Sequence, residues 1–269
     1  MLIIGERINA TNKSVGQAIA SRDKDFLAEL ARKQADAGAD FIDVNAGAGG
    51  SGEGDAVAAM EWLIDLVQEA IDKPLCVDSD SPDVIAAALK RYRGDKVMIN
   101  SVNAEPEKLE RIGRLAVECN ATVVALVMKE GNIPRVVEER MEAAETIMEH
   151  LGRLGVSEDR IYFDPLVLPI SVDTSQGVVT LKTIESIKSR FPSAKTVMGL
   201  SNISYGLPNR GTINRSFMLM SAAAGLDAAI LDPLDAKMMS LVRVGDMLTG
   251  NDSGCRKYIR AHRKGLLVE

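Results

Sequence analysis

Residues 75–100 read LCVDSDSPDVIAAALKRYRGDKVMIN. The apolar run LCV (75–77) is short and unalternated, as a strand buried on both faces reads. Residues 82–92 then carry apolar side chains at helical spacing, and Ser81 and Asp83 suit a helix start. After Gly94 a second short run, VMI (97–99), closes a strand–helix–strand unit. The same unit repeats on both sides. Further strand-like runs are LII (2–4), DFIDV (40–44), TVVALV (122–127), IYF (161–163), TVMGL (196–200) and DAAIL (227–231). Helical patterns lie between them at 23–37, 56–71, 105–119, 135–153, 176–190, 212–224 and 234–248. In the first of these, Phe26, Leu27, Leu30, Ala31 and Ala35 make one apolar face. Eight strands each followed by a helix is the count of an α/β (β/α)8 barrel of the TIM type. An open doubly wound sheet is the alternative. No long linker or composition shift divides the chain, so one barrel domain over 1–269 is expected.

Composition agrees with a globular chain. Hydrophobic residues are 46% and charged residues 26% of 269, and 32 basic against 38 acidic residues give a net charge of −6. That balance argues against nucleic acid as a partner. The basic cluster Arg256, Lys257, Arg260, Arg263 and Lys264 reads as the solvated face of a last helix. Cys76, Cys119 and Cys255 are odd in number and widely spaced, so neither a disulfide framework nor a zinc knuckle is expected. With only His150 and His262, no metal site is expected. No apolar run has membrane-spanning length, and MLIIGERIN lacks the pattern of a secretion signal. A cytoplasmic protein is the expectation. Trp62 and the pair Met238–Met239 read as packing residues.

In a barrel the active site lies where the strands end. The residues there are Glu6, Arg7 and Asn9 after the first run, Asp43 and Asn45 at the second, then Asp78, Asn100 and Asn103. Met128 and Lys129 follow the fifth run, Asp164 the sixth, Gly199, Ser201 and Asn202 the seventh, and Asp232 the eighth. Asp and Asn also favour loops and helix caps, so any one position is ambiguous. Three carboxylates directly abutting apolar strands (Asp43, Asp78, Asp164) are less so. Such a ring offers acceptors and carboxamides but few cations. It suits a neutral heterocycle rich in N–H groups better than a phosphate.

Taken together, GERIN (5–9), LCVDSD (75–80), MINSVNAE (98–105), DPLVLP (164–169), TVMGLSNIS (196–204) and NRGTINRSF (209–217) resemble the methyltetrahydrofolate:corrinoid methyltransferases. These belong to the pterin-binding barrels, with dihydropteroate synthase and the folate module of cobalamin-dependent methionine synthase. The resemblance runs from residue 2 to about 235. It implies a TIM barrel, usually a homodimer, that binds 5-methyltetrahydrofolate in an acidic cleft. The methyl group passes to Co(I) of a cobamide carried by a partner corrinoid protein. By motif, Asp78, Asn100 and Asp164 would anchor the pterin edge, and Asn202 would reach N5. Gly199 and Ser201 would shape the floor, Arg210 would pack near the pterin, and Glu6 would be a rim carboxylate. Tyr205 completes the substrate-side set. Asn202 and Asp164 are the residues assigned to the chemistry.

Demethylating a tertiary amine needs the departing nitrogen stabilised. A hydrogen bond from the Asn202 amide that strengthens in the transition state would do so. No His, Lys or Cys at this rim suits the role of sole general acid, so the proton would come through water held by the Asp ring. No corrinoid-binding Asp-X-His-X-X-Gly signature occurs in the chain, so the corrinoid is expected from another chain.

Three stretches depart from the family pattern: the glycine-rich 46–54, the fifth loop MKEGNIPR (128–135) and YIRAHR (258–263). The last resembles the Arg-X-His of dihydropteroate synthase, the nearest rival reading. That enzyme has a Lys in a Ser-Arg-Lys run after the seventh strand, whereas this chain has Ser201-Asn202-Ile203. Residues 47–52, GAGGSG, also fit G-X-G-X-X-G. They follow the second strand rather than the first, which weakens a dinucleotide-dependent oxidoreductase. A binding protein without turnover is the third alternative.

Overall fold

The computed structural model describes residues 1–47, 53–129, 131 and 133–268. In chain order its elements are β1 (Leu2–Asn9), α1 (Lys13–Ala20), α2 (Lys24–Asp36), β2 (Phe41–Asn45), α3 (Glu53–Ala70), β3 (Leu75–Asp78) and α4 (Pro82–Arg91). They continue with β4 (Val97–Val102), α5 (Pro106–Glu118), β5 (Thr122–Leu126), α6 (Val137–Leu154), β6 (Ile161–Asp164) and α7 (Gln176–Arg190). β7 (Lys195–Gly199), α8 (Arg210–Ala223), β8 (Ala228–Leu231), α9 (Ala236–Leu248) and α10 (Arg256–Arg263) complete the series. The strands form a closed barrel in sequence order, and β1 pairs with β8. Every strand pair is parallel. The (β/α)8 barrel read from the sequence is the fold.

Two elements exceed the sequence reading. β1 runs on to Asn9, past the apolar run that ends at Ile4, with a register shift between Gly5 and Ile8. Glu6 therefore lies in a strand rather than a loop. α1 has no counterpart among the expected helices. Asn12 caps it by accepting from the Ser14 amide, and it buries Val15, Ala18 and Ile19. α10 is the expected solvated last helix, with Ala261 its buried residue.

The core has two layers. Between strands and helices lie most of the aliphatic side chains, including Leu63, Ile64, Ile85, Ile112 and Ile147, all fully buried. Each stabilises the fold by about 1.5–3 kcal/mol through its removal from water. Inside the barrel a smaller set fills the base: Ile4, Cys76, Met98, Val124, Val197 and Ala228, with Phe41, Tyr162 and Ile230 beside them.

That inner layer fixes the site. Side chains alternate along a strand, so the residue two beyond an inward one also faces inward. Ile4 leads to Glu6, Phe41 to Asp43 and Asn45, Cys76 to Asp78, Met98 to Asn100, Tyr162 to Asp164, and Val197 to Gly199. One phase of alternation thus gives an apolar base and a polar mouth.

Candidate active site

β3 and β4 are in register with Asp78 opposite Asn100. Asn45, on the neighbouring β2, donates its amide to Asp78 Oδ2 at 2.8 Å, and its own Oδ1 accepts from Gly47 N at 2.8 Å. One layer deeper, Asn100 Nδ2 donates to Asp43 Oδ1 at 3.3 Å. Asp43 is only 2% exposed. Burial, and next the charge of Asp78, hold its carboxyl well above the usual range, against hydrogen bonds from Cys76 and Asn100. Burial also raises Asp78, opposed by the Asn45 amide. Two carboxyls so close do not both ionise readily, and the deeper Asp43 keeps its proton. Burial and Asp43 push the Cys76 thiol up as well, so it is inert rather than nucleophilic.

Across the mouth, Asp164 ends β6. Its Oδ1 accepts from Leu166 N at 2.8 Å, and the Gly199 N–H also reaches it. Burial pushes it up to about 6, although those two hydrogen bonds and the charge of Arg140 pull the other way. Gly199 ends β7 with open space where a Cβ would stand. A 3-10 turn, Leu200–Ser204, follows and carries Asn202. The Asn202 amide donates to the Val167 carbonyl at 2.6 Å. Asn202 is exposed, as is Tyr205. Arg210 braces this turn, donating from Nε to Ser204 Oγ at 2.9 Å and from Nη2 to the Ser201 carbonyl at 2.7 Å.

On the β1–β8 side, Glu6 lines a cavity of about 60 Å³ with Ser201, Asn214, Asp232 and Asp235. That volume and lining suit water. Burial, with Asp232 adding, lifts Glu6 to about 7, and Arg7 and Arg210 oppose the shift. Arg7 pairs with Asp232 at 3.2 Å.

The strand ends therefore bring Glu6, Asp78, Asn100, Asp164, Gly199, Ser201 and Asn202 to one mouth. Arg210 acts on the turn beneath Asn202, and Tyr205 stands at the periphery. The Arg260–His262 stretch is elsewhere. α9 runs away from the rim, its last turn meets the Met1 amine through Asp246, and α10 starts from that end. Trp62 packs against the outer core with the Arg22 guanidinium 4.5 Å from its ring, and Met238 and Met239 are buried. Of the glycine motif, residues 48–52 lie outside the described residues, as do 130 and 132 of the fifth loop. Among the described residues no cluster of three His, Cys, Asp or Glu could hold a metal, and no helix is long and apolar enough to cross a membrane. The sequence reading missed Arg140 and the depth of Asp43. Only the period-two phase of DFIDV signals the latter.

Residues 5–232 match the family described as pterin binding enzyme. The chain is 35% identical to a methylcorrinoid:tetrahydrofolate methyltransferase of Eubacterium limosum, over 98% of this chain and 97% of that one. It is 33% identical to a methionine synthase of Mycobacterium tuberculosis over 86% of this chain, which is 20% of that longer protein. Among solved structures, dihydropteroate synthase of Coxiella burnetii superposes with a TM-score of 0.71 at 14% identity, covering 93% of this chain and 94% of that one. The enzyme from Yersinia pestis superposes at 0.70, also at 14%, covering 93% of each. At that identity the likeness is one of fold. The sequence matches reach further, and with 228 of 269 residues inside the family's span (5 to 232), this chain belongs to the pterin-binding enzymes.

Proposed function

We propose that this enzyme moves a methyl group between N5 of 5-methyltetrahydrofolate and the cobalt of a corrinoid carried by a partner protein. The observation that carries the reading is the end-to-end match to a methylcorrinoid:tetrahydrofolate methyltransferase. The mouth's chemistry supports it. An ionised Asp78 and Asp164 accept from pterin ring N–H and amino groups, while Asn100, its amide turned toward Asp43, offers its carbonyl oxygen. The open space at Gly199 leaves room for a flat ring beside Asp164. The residues fit the ligand, and the corrinoid supplies the nucleophilic or methyl-bearing cobalt.

Asn202 is the donor for N5. It has one amide hydrogen on Val167 and a second left over. One well-placed donor is worth about 3 kcal/mol, roughly a hundredfold in rate. Glu6 is the rim group that holds a proton near neutral pH, and the cavity it lines has the size for a water that would relay that proton. It releases that proton when folate is demethylated and takes it back in the reverse direction. The partner docks over the mouth, and the active form is a homodimer, which sedimentation tests.

The decisive experiment is anaerobic. The protein is mixed with 5-methyltetrahydrofolate and cob(I)alamin, and loss of Co(I) absorbance is followed. Catalysed loss that falls about a hundredfold in Asn202→Ala at saturating folate is expected. Wild-type single-turnover rates in Asn202→Ala would remove Asn202 from the chemistry. Absence of tetrahydrofolate binding would remove the whole reading.

A further inference from the structure

Arg140 is fully buried, on the first turn of α6. Its guanidinium makes three hydrogen bonds, each to a different segment. Nε donates to the Pro134 carbonyl at 3.2 Å, Nη1 to the Pro165 carbonyl at 2.7 Å, and Nη2 to Gln176 Oε1 at 2.9 Å. These acceptors lie in the β5–α6 loop, in the β6–α7 loop and at the start of α7. Gln176 is itself held, donating to the Arg135 carbonyl at 3.1 Å and to Asp173 Oδ2 at 3.0 Å. All three of Arg140's acceptors are neutral. Burying a cation without a contacting anion is expensive, and a neutral donor would tie loops together at less cost. The charge therefore calls for an anion within reach of its field, and the one that acts on it is Asp164.

The loop between them transmits the position. Pro165, gripped by Arg140, directly follows Asp164. Leu166 has a φ of +63°, left-handed for a non-glycine residue, and its N–H returns to Asp164 Oδ1. Its carbonyl accepts from Thr180 Oγ1 at 3.2 Å. Val167, next in the chain, accepts from Asn202. One short loop thus sets both Asp164 and Asn202.

We propose that Arg140 is a positioning residue. From within the barrel wall it fixes the 164–167 loop and supplies the positive field that keeps the Asp164 carboxylate available as an acceptor. Its catalytic meaning rests on the methyltransferase reading above. The electrostatic link does not.

Among the described residues no competing titratable group confuses the link. Of the elements against Asp164, β5 carries none, and β7 carries only Lys195 at its opposite end. α7 presents the neutral Gln176, and Arg135 acts on Asp173. Among the described residues, Arg140 is the charged group that acts on Asp164.

The test follows the carboxyl carbon of Asp164 by 13C NMR in the ligand-free protein, assigned by its loss in Asp164→Asn. Arg140→Gln should raise its midpoint from about 6 by about one unit. Arg140→Lys, which keeps the charge but not the fork of donors, should restore most of the shift. An unmoved midpoint in Arg140→Gln, or equal movement in both variants, overturns the proposal. Wild-type protein gives a second readout should Arg140→Gln fail to fold. The Arg140 Nε–H resonance should titrate with the midpoint of Asp164, and in Asp164→Asn that step should vanish. A resonance flat through that range overturns the proposal too. Neither readout needs folate, so a failed methyl-transfer assay and a failed Arg140 assignment are told apart.

Discussion

Asp164 illustrates how burial makes the stability of the fold depend on a single carboxyl. Its carboxyl titrates near 3.8 in an unfolded chain and at about 6 in the fold. The folded value is the higher, so the fold prefers the protonated acid. The stabilisation is full below the unfolded value and is lost as pH rises through 6. At pH 8 the ionised group burdens the fold by about 2 kcal/mol, allowing for its partial exposure. Asp164→Asn should therefore raise stability by about that amount at pH 8 and gain nothing below pH 4, as urea unfolding would read. Calorimetry should show tetrahydrofolate affinity falling at least tenfold in the same variant, because an amide offers one acceptor oxygen instead of two. The position of Asp164 was legible in the sequence, since a carboxylate directly after a buried strand has few structural excuses. Arg140 was not. It sits among VEERMEAAE, where Glu138, Glu139 and Glu142 make it read as one more surface charge. Only the tertiary approach of Pro134, Pro165 and Gln176 shows otherwise.

At the level of elements, the two ends of the strands do different work. Asp227 precedes β8 at the base. It accepts from Thr196 N at 2.9 Å and from Lys188 Nζ at 2.9 Å, tying β7, β8 and α7 together. Asp227→Ala should reduce stability by about 1–3 kcal/mol with folate affinity unchanged, read by denaturant titration and calorimetry. Gly199→Ala at the other end should do the reverse. Its φ of −73° suits any residue, and a Cβ there meets no atom within 4 Å, so the melting temperature should hold. On the proposed reading the methyl would take the space meant for the flat ring, and folate affinity should fall tenfold or more, the size of a 1–3 kcal/mol overpacking. Strand and helix identities were legible because short, unalternated apolar runs mark the strands and helical spacing marks the segments between them. α1 escaped because KSVGQAIA has only eight residues and its amphipathic signal lacks length. The extension of β1 escaped because polar Glu6, Arg7 and Asn9 interrupt the hydrophobic pattern that betrays a strand. Glu6 lines a small cavity, Arg7 pairs with Asp232, and Asn9 accepts from Thr11.

Across the whole molecule the raised carboxyls share one sign. Glu6 at about 7 and Asp164 at about 6, with Asp43 and Asp78 also raised, each favour the fold more when protonated. Lowered carboxyls at Glu110, Asp173, Asp235 and Asp252 act oppositely, losing their contribution as pH falls toward and below 4. Stability should accordingly peak between about pH 4.5 and 6 and decline toward pH 8. Differential scanning calorimetry across that range tests this, and a maximum at pH 8 would contradict the burial of the mouth carboxyls. Saturating tetrahydrofolate should flatten the decline, since a ligand bound through ionised carboxylates stabilises most where they are ionised.

Because the barrel closes in sequence order, position along the chain is also compass bearing around the mouth. Asp78 and Asn100 stand on adjacent strands, Asp164 two strands further round, Asn202 just after the next, and Glu6 beyond β8, almost back to the start. Each bearing belongs to one strand–loop unit, yet neighbouring bearings are braced to one another: Asn45 holds Asp78, and the loop after Asp164 holds Asn202. A mouth built this way is refitted by braced sectors on an unchanged drum: a new loop after β6 would move the Asp164 and Asn202 bearings together.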